Sequence, residues 1–199
     1  MAATNAHAAG GRPIVFVNRR ARAVPSVVVD PDATVDRAID HLRALGHTRI
    51  AAVRGPRGYW SSQQRERALR RHGHDIVALG PTDPTFAGGE RVLGAVVDAR
   101  VTAVAAFNDV MALGLIAAAA SAGITVPDRL SIIGADAVPF GAMTTPPLTT
   151  VGVDLEELGE AAIGELVGLI EDETARRERT LVPAVVRRGS TGPPPGRRA

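Results

Sequence analysis

The sequence contains neither cysteine nor lysine. Without cysteine, disulfide frameworks, zinc–thiolate sites and thiol nucleophiles are excluded, and a reducing cytosol is compatible. All 23 basic residues are therefore arginines, and the formal net charge is only +2. So weak a net charge does not predict a nucleic-acid-binding surface, because such a surface needs basic side chains clustered on one face.

Segments that direct a chain into or across a membrane are not found either. The first 11 residues are small and polar, without the charged start and apolar run of a secretory signal. The most apolar stretch, residues 101–124, is interrupted by Asn108, Asp109 and Ser121 and by glycines, so we expect no transmembrane helix. We expect a cytoplasmic protein with a flexible N-terminus over residues 1–11.

The common signatures of enzymes are missing as well. The sequence has no Gly-x-Ser-x-Gly elbow and no Gly-x-x-x-x-Gly-Lys loop. Its five histidines lack the partner residues of a metal site. We therefore expect no catalytic residues, no metal and no cofactor.

Short apolar runs alternate with amphipathic stretches along the 199 residues, 45% of which are hydrophobic. The runs predict strands at 13–17, 26–29, 49–53, 75–79, 101–107, 130–134 and 180–186. The helical period predicts helices at 34–45, before Gly73, at 86–98, from Asn108-Asp109 to 122, and along the stripe Leu155–Leu169. Gly46 and Asp154 are typical of a C-cap and an N-cap. This alternation predicts an α/β fold in which helices flank mainly parallel sheets.

Polar side chains follow several of these strands, and in parallel sheets ligands bind beyond the carboxyl ends of the strands. Carboxylates, an amide and guanidinium groups together suit a polyhydroxylated small molecule. Flat apolar side chains nearby are typical of binding pockets. The polar set is Arg19, Asp30, Arg65, Asn108, Asp109 and Asp136, and the aromatic set is Tyr59, Trp60 and Phe107.

Structural interpretations of the same residues stay open at this point. Asp30 and Asp109 are also suited to capping helices, and Asn108 to a turn. Arg65 lies in an arginine-rich stretch that would also form a solvated helix face. Tyr59 and Trp60 would also serve as packing or lid residues.

Five segments resemble the LacI/GalR (lactose and galactose repressor) family of transcription regulators in order and spacing. They are residues 40–51, 107–114, 126–136, 145–151 and 187–191. The resemblance implies an effector-binding domain with the type I periplasmic-binding-protein-like fold, in which two lobes hold an effector in a cleft. It implies a partial N-terminal lobe at 12–46 and 146–175 and a complete C-terminal lobe at 47–140 and 180–188. The glycine- and proline-rich run 192–196 predicts a tail that does not pack regularly, so we expect residues 189–199 to be disordered.

The family's effector contacts fall on matching positions of this sequence. Arg65 is implied to grip the effector, and Asn108 and Asp136 to hydrogen-bond its hydroxyls, with further contacts from Asp30, Tyr59 and Ser61. Two departures stand out. One acidic residue is lost in Ala135-Asp136-Ala137, and the helix that follows Arg65 is about four residues, roughly one turn, too short.

The implied partners are a sugar-like or nucleoside-like effector, with a carbohydrate favoured, and a second copy of the chain. DNA is expected only through a helix-turn-helix head, which reads bases in the major groove and is not found in this sequence. Two alternatives stay open. One is a solute-binding protein of a transporter, and the other is a decayed or dimerising fragment without ligand sensing.

Overall fold

The computed structural model describes residues 12–21, 24–171 and 178–196. The expected flexible N-terminus and the last three residues of the expected tail lie outside these ranges. The strands are β1 (Phe16–Val17), β2 (Ser26–Val29), β3 (Ile50–Val53), β4 (Ile76–Leu79), β5 (Ala103–Ala105), β6 (Ser131–Ala135), β7 (Thr149–Gly152), β8 (Glu178–Leu181) and β9 (Ala184–Val186). The helices are α1 (Pro31–Ala44), α2 (Trp60–Arg71), α3 (Phe86–Asp98), α4 (Asp109–Ser121) and α5 (Leu155–Glu171), with a 3₁₀ turn at Pro139–Met143.

The chain divides into two compact units. The smaller unit comprises the described parts of Met1–Asp30 and Val153–Val182, and the larger unit comprises Pro31–Gly152 and the described part of Pro183–Ala199. This division differs from the expected lobes at α1 and at β7. Both were assigned to the N-terminal lobe, whereas here α1 packs on the sheet of the larger unit and β7 is one of its strands.

In its described residues, the smaller unit contains a three-stranded parallel sheet and helix α5. The strand order is β1-β2-β8, and every pairing is parallel. Helix α5 buries Leu158 and Ala161 against Val27 and Leu181 of the sheet. Asp154 caps this helix as predicted, because its Oδ1 accepts a 2.8 Å hydrogen bond from the backbone N–H of Glu156.

The larger unit contains a six-stranded sheet in the order β4-β3-β5-β6-β7-β9. All pairings are parallel except that of β7 with β9, so the predicted mainly parallel α/β fold is confirmed. Gly46 ends α1 with φ +101°, the conformation expected of a glycine C-cap.

Alternate residues of the sheet face two different helix layers, as strand geometry requires. Ile50, Ala103 and Ile133 pack in one apolar cluster with side chains of α1 such as Ile39 and Leu42. The neighbouring strand residues Ala51, Val104 and Ile132 belong to a second cluster, with Val96 of α3 and Leu115 of α4. Burial on both faces explains why these strands are continuous apolar runs in the sequence.

Helices α3 and α4 approach each other through glycine. A Cβ atom on Gly89 would lie 2.0 Å from the backbone oxygen of Met111, and one on Gly114 would lie 1.9 Å from that of Phe86. Both positions therefore exclude any side chain. Among the described residues, no helix is long and apolar enough to cross a membrane.

Three expectations about the C-terminal part are corrected. The strand predicted at 180–186 is two strands, because β8 joins the smaller sheet and β9 the larger one, with Pro183 between them. Residues 149–152, for which no strand was predicted, form β7. The start of the expected disordered tail is packed: Ser190 is fully buried, its carbonyl accepts from the N–H of Ile132, and its hydroxyl accepts from the N–H of Thr149.

Candidate functional site

The larger sheet has a topological switch point between β3 and β5. The chain leaves β3 for β4 on one side and then returns to β5 on the other side. Loops diverge at such a point, and ligands of α/β proteins bind there. Gly55 follows β3 and Phe107 follows β5. A Cβ atom on Gly55 would lie 2.6 Å from the Phe107 ring, so glycine is needed for the two loops to meet.

Arg65 projects from α2 to this switch point. Its Nη1 donates to the backbone oxygen of Phe107, and its guanidinium carbon lies 4.9 Å from the centroid of the Phe107 ring. Only 16% of the Arg65 side chain is exposed. Arg65 is therefore held by the loop after β5 and is not part of a solvated helix face, although its neighbours Arg67, Arg70 and Arg71 are exposed.

Asp136, directly after β6, faces the same guanidinium. Its Oδ1 lies 3.8 Å from Nη2 of Arg65, and 47% of its side chain is exposed. Desolvation raises the pKa of Asp136, and the charge of Arg65 opposes this shift. Burial lowers the pKa of Arg65, while Asp136 and Asp109 oppose that change. The site thus holds a sheltered cation beside a carboxylate that is half exposed to solvent.

The turn that presents Asp136 is conformationally unusual. Asp136 has φ +112° and Ala137 has φ +55°, in a region that residues with a Cβ atom seldom occupy. Asp109 holds the end of this turn, because its Oδ2 accepts a 2.8 Å hydrogen bond from the N–H of Val138. A Cβ atom on Gly152 would lie 2.7 Å from that of Ala137, so β7 gives the turn room only through this glycine.

Asn108 uses its side chain within the larger unit. Its Oδ1 caps α4 by accepting from the N–H of Met111 at 2.8 Å, and its Nδ2 donates to the oxygen of Pro84 at 3.1 Å. These bonds tie the loop after β5 to the loop before α3. The capping function that the sequence left open for Asp109 therefore belongs to Asn108, and contact of Asn108 with an effector stays a prediction.

The remaining predicted contact residues lie at element ends. Tyr59 immediately precedes α2 and is 53% exposed, and Ser61 is half-buried in the first turn of that helix, one turn before Arg65. Asp30 belongs to the smaller unit, where its backbone N–H donates to the oxygen of Leu181 at 2.9 Å. The structure thus brings Arg65, Phe107 and Asp136 together, and effector contacts by the others stay predictions.

Sequence reasoning did not find Ser62, which lies one turn before Arg65 on the same face of α2. Ser62 is 8% exposed, and its Oγ is buried without a hydrogen-bond partner among the described residues, as is Nε of Arg65. The helical spacing of three from Arg65 was the available signal. The signal is weak, because the same spacing is equally typical of an ordinary helix position.

A model of the periplasmic binding protein-like domain matches residues 39–191. The chain belongs to this family. Its relatives include the HTH-type transcriptional regulator MalR of Streptomyces coelicolor, 34% identical over 203 residues, which cover 96% of this chain and 59% of that protein. The ribose operon repressor of Escherichia coli is 33% identical over 168 residues, covering 78% of this chain and 50% of the repressor. The chain thus spans between half and three fifths of these curated relatives.

Solved structures of LacI family regulators have the same fold as this periplasmic binding protein-like domain. A LacI family transcriptional regulator from Enterococcus faecalis with bound ribose aligns with a TM-score of 0.83 and 26% identity, over 91% of this chain and 69% of that chain. The dimeric Lac repressor aligns with a TM-score of 0.85 and 26% identity, over 97% and 74%. The expected family, and the type I periplasmic-binding-protein-like fold, are confirmed.

Proposed function

We propose that the chain senses a carbohydrate effector for a LacI-type transcription regulator, and that Arg65 and Asp136 hold this effector. The observation that carries the proposal is the pairing of a sheltered guanidinium with a half-exposed carboxylate at 3.8 Å, at the switch point of a parallel sheet.

The chemistry of the pair suits sugar hydroxyls. A hydroxyl both donates and accepts, whereas guanidinium only donates and an ionised carboxylate only accepts. Arg65 would donate to a ring or hydroxyl oxygen, and Asp136 would accept from a neighbouring hydroxyl. Because Phe107 already fixes the guanidinium, little side-chain entropy is lost when a ligand binds.

The names of the relatives favour a sugar over a nucleoside. One compared structure contains ribose, and one relative is a ribose operon repressor. Tyr59, Ser61 and Asn108 of the larger unit are proposed as further contacts, and a contact of Asp30 with the effector stays a prediction. Transcription regulators among the relatives also favour this function over transport, over a fragment without sensing and over an enzyme.

The test is a thermal-unfolding screen of the chain with pentoses, hexoses, disaccharides and nucleosides. A sugar at 100 times its dissociation constant stabilises by about 2.7 kcal/mol. Arg65→Ala and Asp136→Asn are expected to abolish the stabilisation, whereas Arg67→Ala, exposed on the same helix, keeps it. A folded chain that responds to no sugar contradicts the proposal, and so does a sugar response that survives both substitutions.

The partners and the cellular location of the chain are also proposals. We propose a homodimer, supported by the relationship to the dimeric Lac repressor and by exposed apolar side chains of the larger unit such as Phe140 and Met143. Light scattering of the chain and of Met143→Asp tests this. A cytoplasmic location, and DNA binding only through a helix-turn-helix head outside this sequence, stay predictions.

A further inference from the structure

A small cavity lies in the larger unit between α1, α2 and the sheet. Its volume is about 40 Å³, and its lining is mostly apolar. The cavity exists because the residues that meet there are small. These include Ala38 of α1, Ala52 of β3, Ala105 of β5 and Gly134 of β6.

Two buried polar atoms without partners belong to residues that line this cavity. They are Oγ of Ser62 and Nε of Arg65, neither of which has a hydrogen-bond partner in the part of the chain that the structure describes. Buried polar atoms are nearly always hydrogen-bonded, so an orphaned pair on one helix face needs an explanation. A guest molecule that satisfies both atoms is such an explanation.

The properties of the cavity define this guest. Nε of Arg65 is only a donor, and the hydroxyl of Ser62 donates or accepts, so the guest must present an acceptor oxygen. The apolar walls require that the rest of the guest be aliphatic, and the volume limits it to a few non-hydrogen atoms. A carboxylate is disfavoured because Glu66 also lines the cavity and the charges of Asp136 and Asp109 already act on Arg65.

An ion pair lines the cavity and also two neighbouring pockets. Nη1 of Arg54 lies 3.4 Å from Oε1 of Glu66, and both residues line the cavity as well as two larger pockets next to it. The side chains of Arg54 and Glu66 are 25% and 36% exposed. Arg54 and Glu66 therefore lie where the cavity meets these two neighbouring pockets.

We propose that this cavity is a subsite for a short neutral acyl group, in which a carbonyl oxygen is held by Ser62 and Arg65 and two or three carbon atoms fill the apolar part. The effector would then be a sugar or related molecule that carries an acetyl- or propionyl-type substituent. This inference rests on the proposed function, since Arg65 belongs to both sites.

The test uses propionamide as the probe in a titration of the ¹⁵N-labelled chain followed by NMR. We expect saturable shifts of the amide signals of Ser62, Ala105 and Gly134. Ser62→Ala is expected to weaken binding about fivefold, the loss that one neutral hydrogen bond of ordinary strength would cause. Ser121→Ala, at the exposed end of α4, is the matched control and leaves the affinity unchanged.

Two further arms complete the test. Ala105→Val, which fills part of the cavity, is expected to abolish the shifts, and sodium propionate is expected to bind more weakly than propionamide. The inference is overturned if propionamide causes no saturable shift, if Ser62→Ala binds it as well as the parent chain does, or if propionate binds more tightly. A chain that responds to a sugar but not to propionamide contradicts only this inference, whereas a response to propionamide without any sugar response contradicts the proposed function.

Discussion

The hydroxyl of Thr150 on β7 donates a 2.6 Å hydrogen bond to Oδ1 of Asp109, the first residue of α4. Both residues are fully buried. Oδ2 of the same carboxylate accepts from the backbone N–H of Val138, so a single side chain connects a helix start, a strand and the turn that presents Asp136. Asp109 is therefore a support of the candidate site rather than a contact residue.

The buried carboxylate predicts a pH dependence of stability. Desolvation raises the pKa of Asp109 from 3.8 to about 6, although Thr150 and Val138 oppose the shift. Between these two pH values the folded chain binds more protons than the unfolded chain, so the free energy of unfolding falls as pH rises from about 4 to 6 and levels off above it. We expect ionisation of Asp109 to lower the free energy of unfolding by about 2–3 kcal/mol over that window.

Urea unfolding of the parent chain and of Asp109→Asn between pH 4 and 7 measures this contribution. The amide of Asp109→Asn does not titrate. The free energy of unfolding of the parent chain is therefore expected to fall relative to that of Asp109→Asn as pH rises. The difference between the parent chain and Asp109→Asn is needed to isolate Asp109, because burial also raises the pKa of Asp136 and lowers the pKa of His41 and His47. A difference that stays constant across the window would refute the prediction.

Two buried serines are expected to respond oppositely to the same substitution. The hydroxyl of Ser62 has no partner among the described residues, so Ser62→Ala removes an unsatisfied group and is expected to stabilise the chain by about 1 kcal/mol. The hydroxyl of Ser131 donates to the oxygen of Gly192 and accepts from its N–H, each at 3.0 Å. Ser131→Ala is expected to cost about 1–3 kcal/mol. Equal effects in chemical denaturation would contradict this interpretation of Ser62.

Two glycines of α3 provide a similar contrast. A Cβ atom on Gly89 would lie 2.0 Å from the oxygen of Met111, whereas one on Gly94 would meet nothing within 4 Å. Gly89→Ala must push α3 away from α4 and is expected to cost about 1–3 kcal/mol or more. Gly94→Ala is expected to raise the free energy of unfolding by at most about 1 kcal/mol, because alanine has a higher helix propensity than glycine. Melting temperatures of both variants test the contact, and a harmless Gly89→Ala would show that the helices do not pack this closely.

Much of the fold is predictable from local pattern. Apolar runs and helical periodicity predict the order of nearly all the helices and strands of the larger unit, and Gly46 and Asp154 mark helix ends correctly. Such features depend on neighbours within a few residues. The division of the stretch 180–186 into β8 and β9 was not predictable in this way, because it depends on which of two sheets each half joins.

The candidate site was predictable in its residue types but not in its contacts. Two arguments both selected Arg65 and Asp136. One is the rule that ligands bind beyond the carboxyl ends of parallel strands, and the other is the family resemblance. The partner of Arg65 at Phe107 is 42 residues away, and that of Asp109 at Thr150 is 41 residues away, so no local pattern links them. The capping function of Asn108 was also hidden, since either Asn108 or Asp109 fits a helix start equally well.

The segment after β9 gives the last prediction. The sequence 192–196, rich in proline and glycine, predicts a tail without regular packing, yet residues 190–192 are bonded to the sheet. The carbonyl of Gly192 accepts from Oγ of Ser131, and Nε2 of His47 lies 2.9 Å from the same oxygen. A chain that ends at Gly192 is therefore expected to keep the free energy of unfolding of the parent chain. A chain that ends at Arg188 leaves buried N–H groups of β6 and β7 without acceptors. Its free energy of unfolding is expected to be lower by several kcal/mol. Urea unfolding of the two truncated chains decides between a packed segment and a dispensable tail, because only a dispensable tail allows both chains to unfold at the same urea concentration.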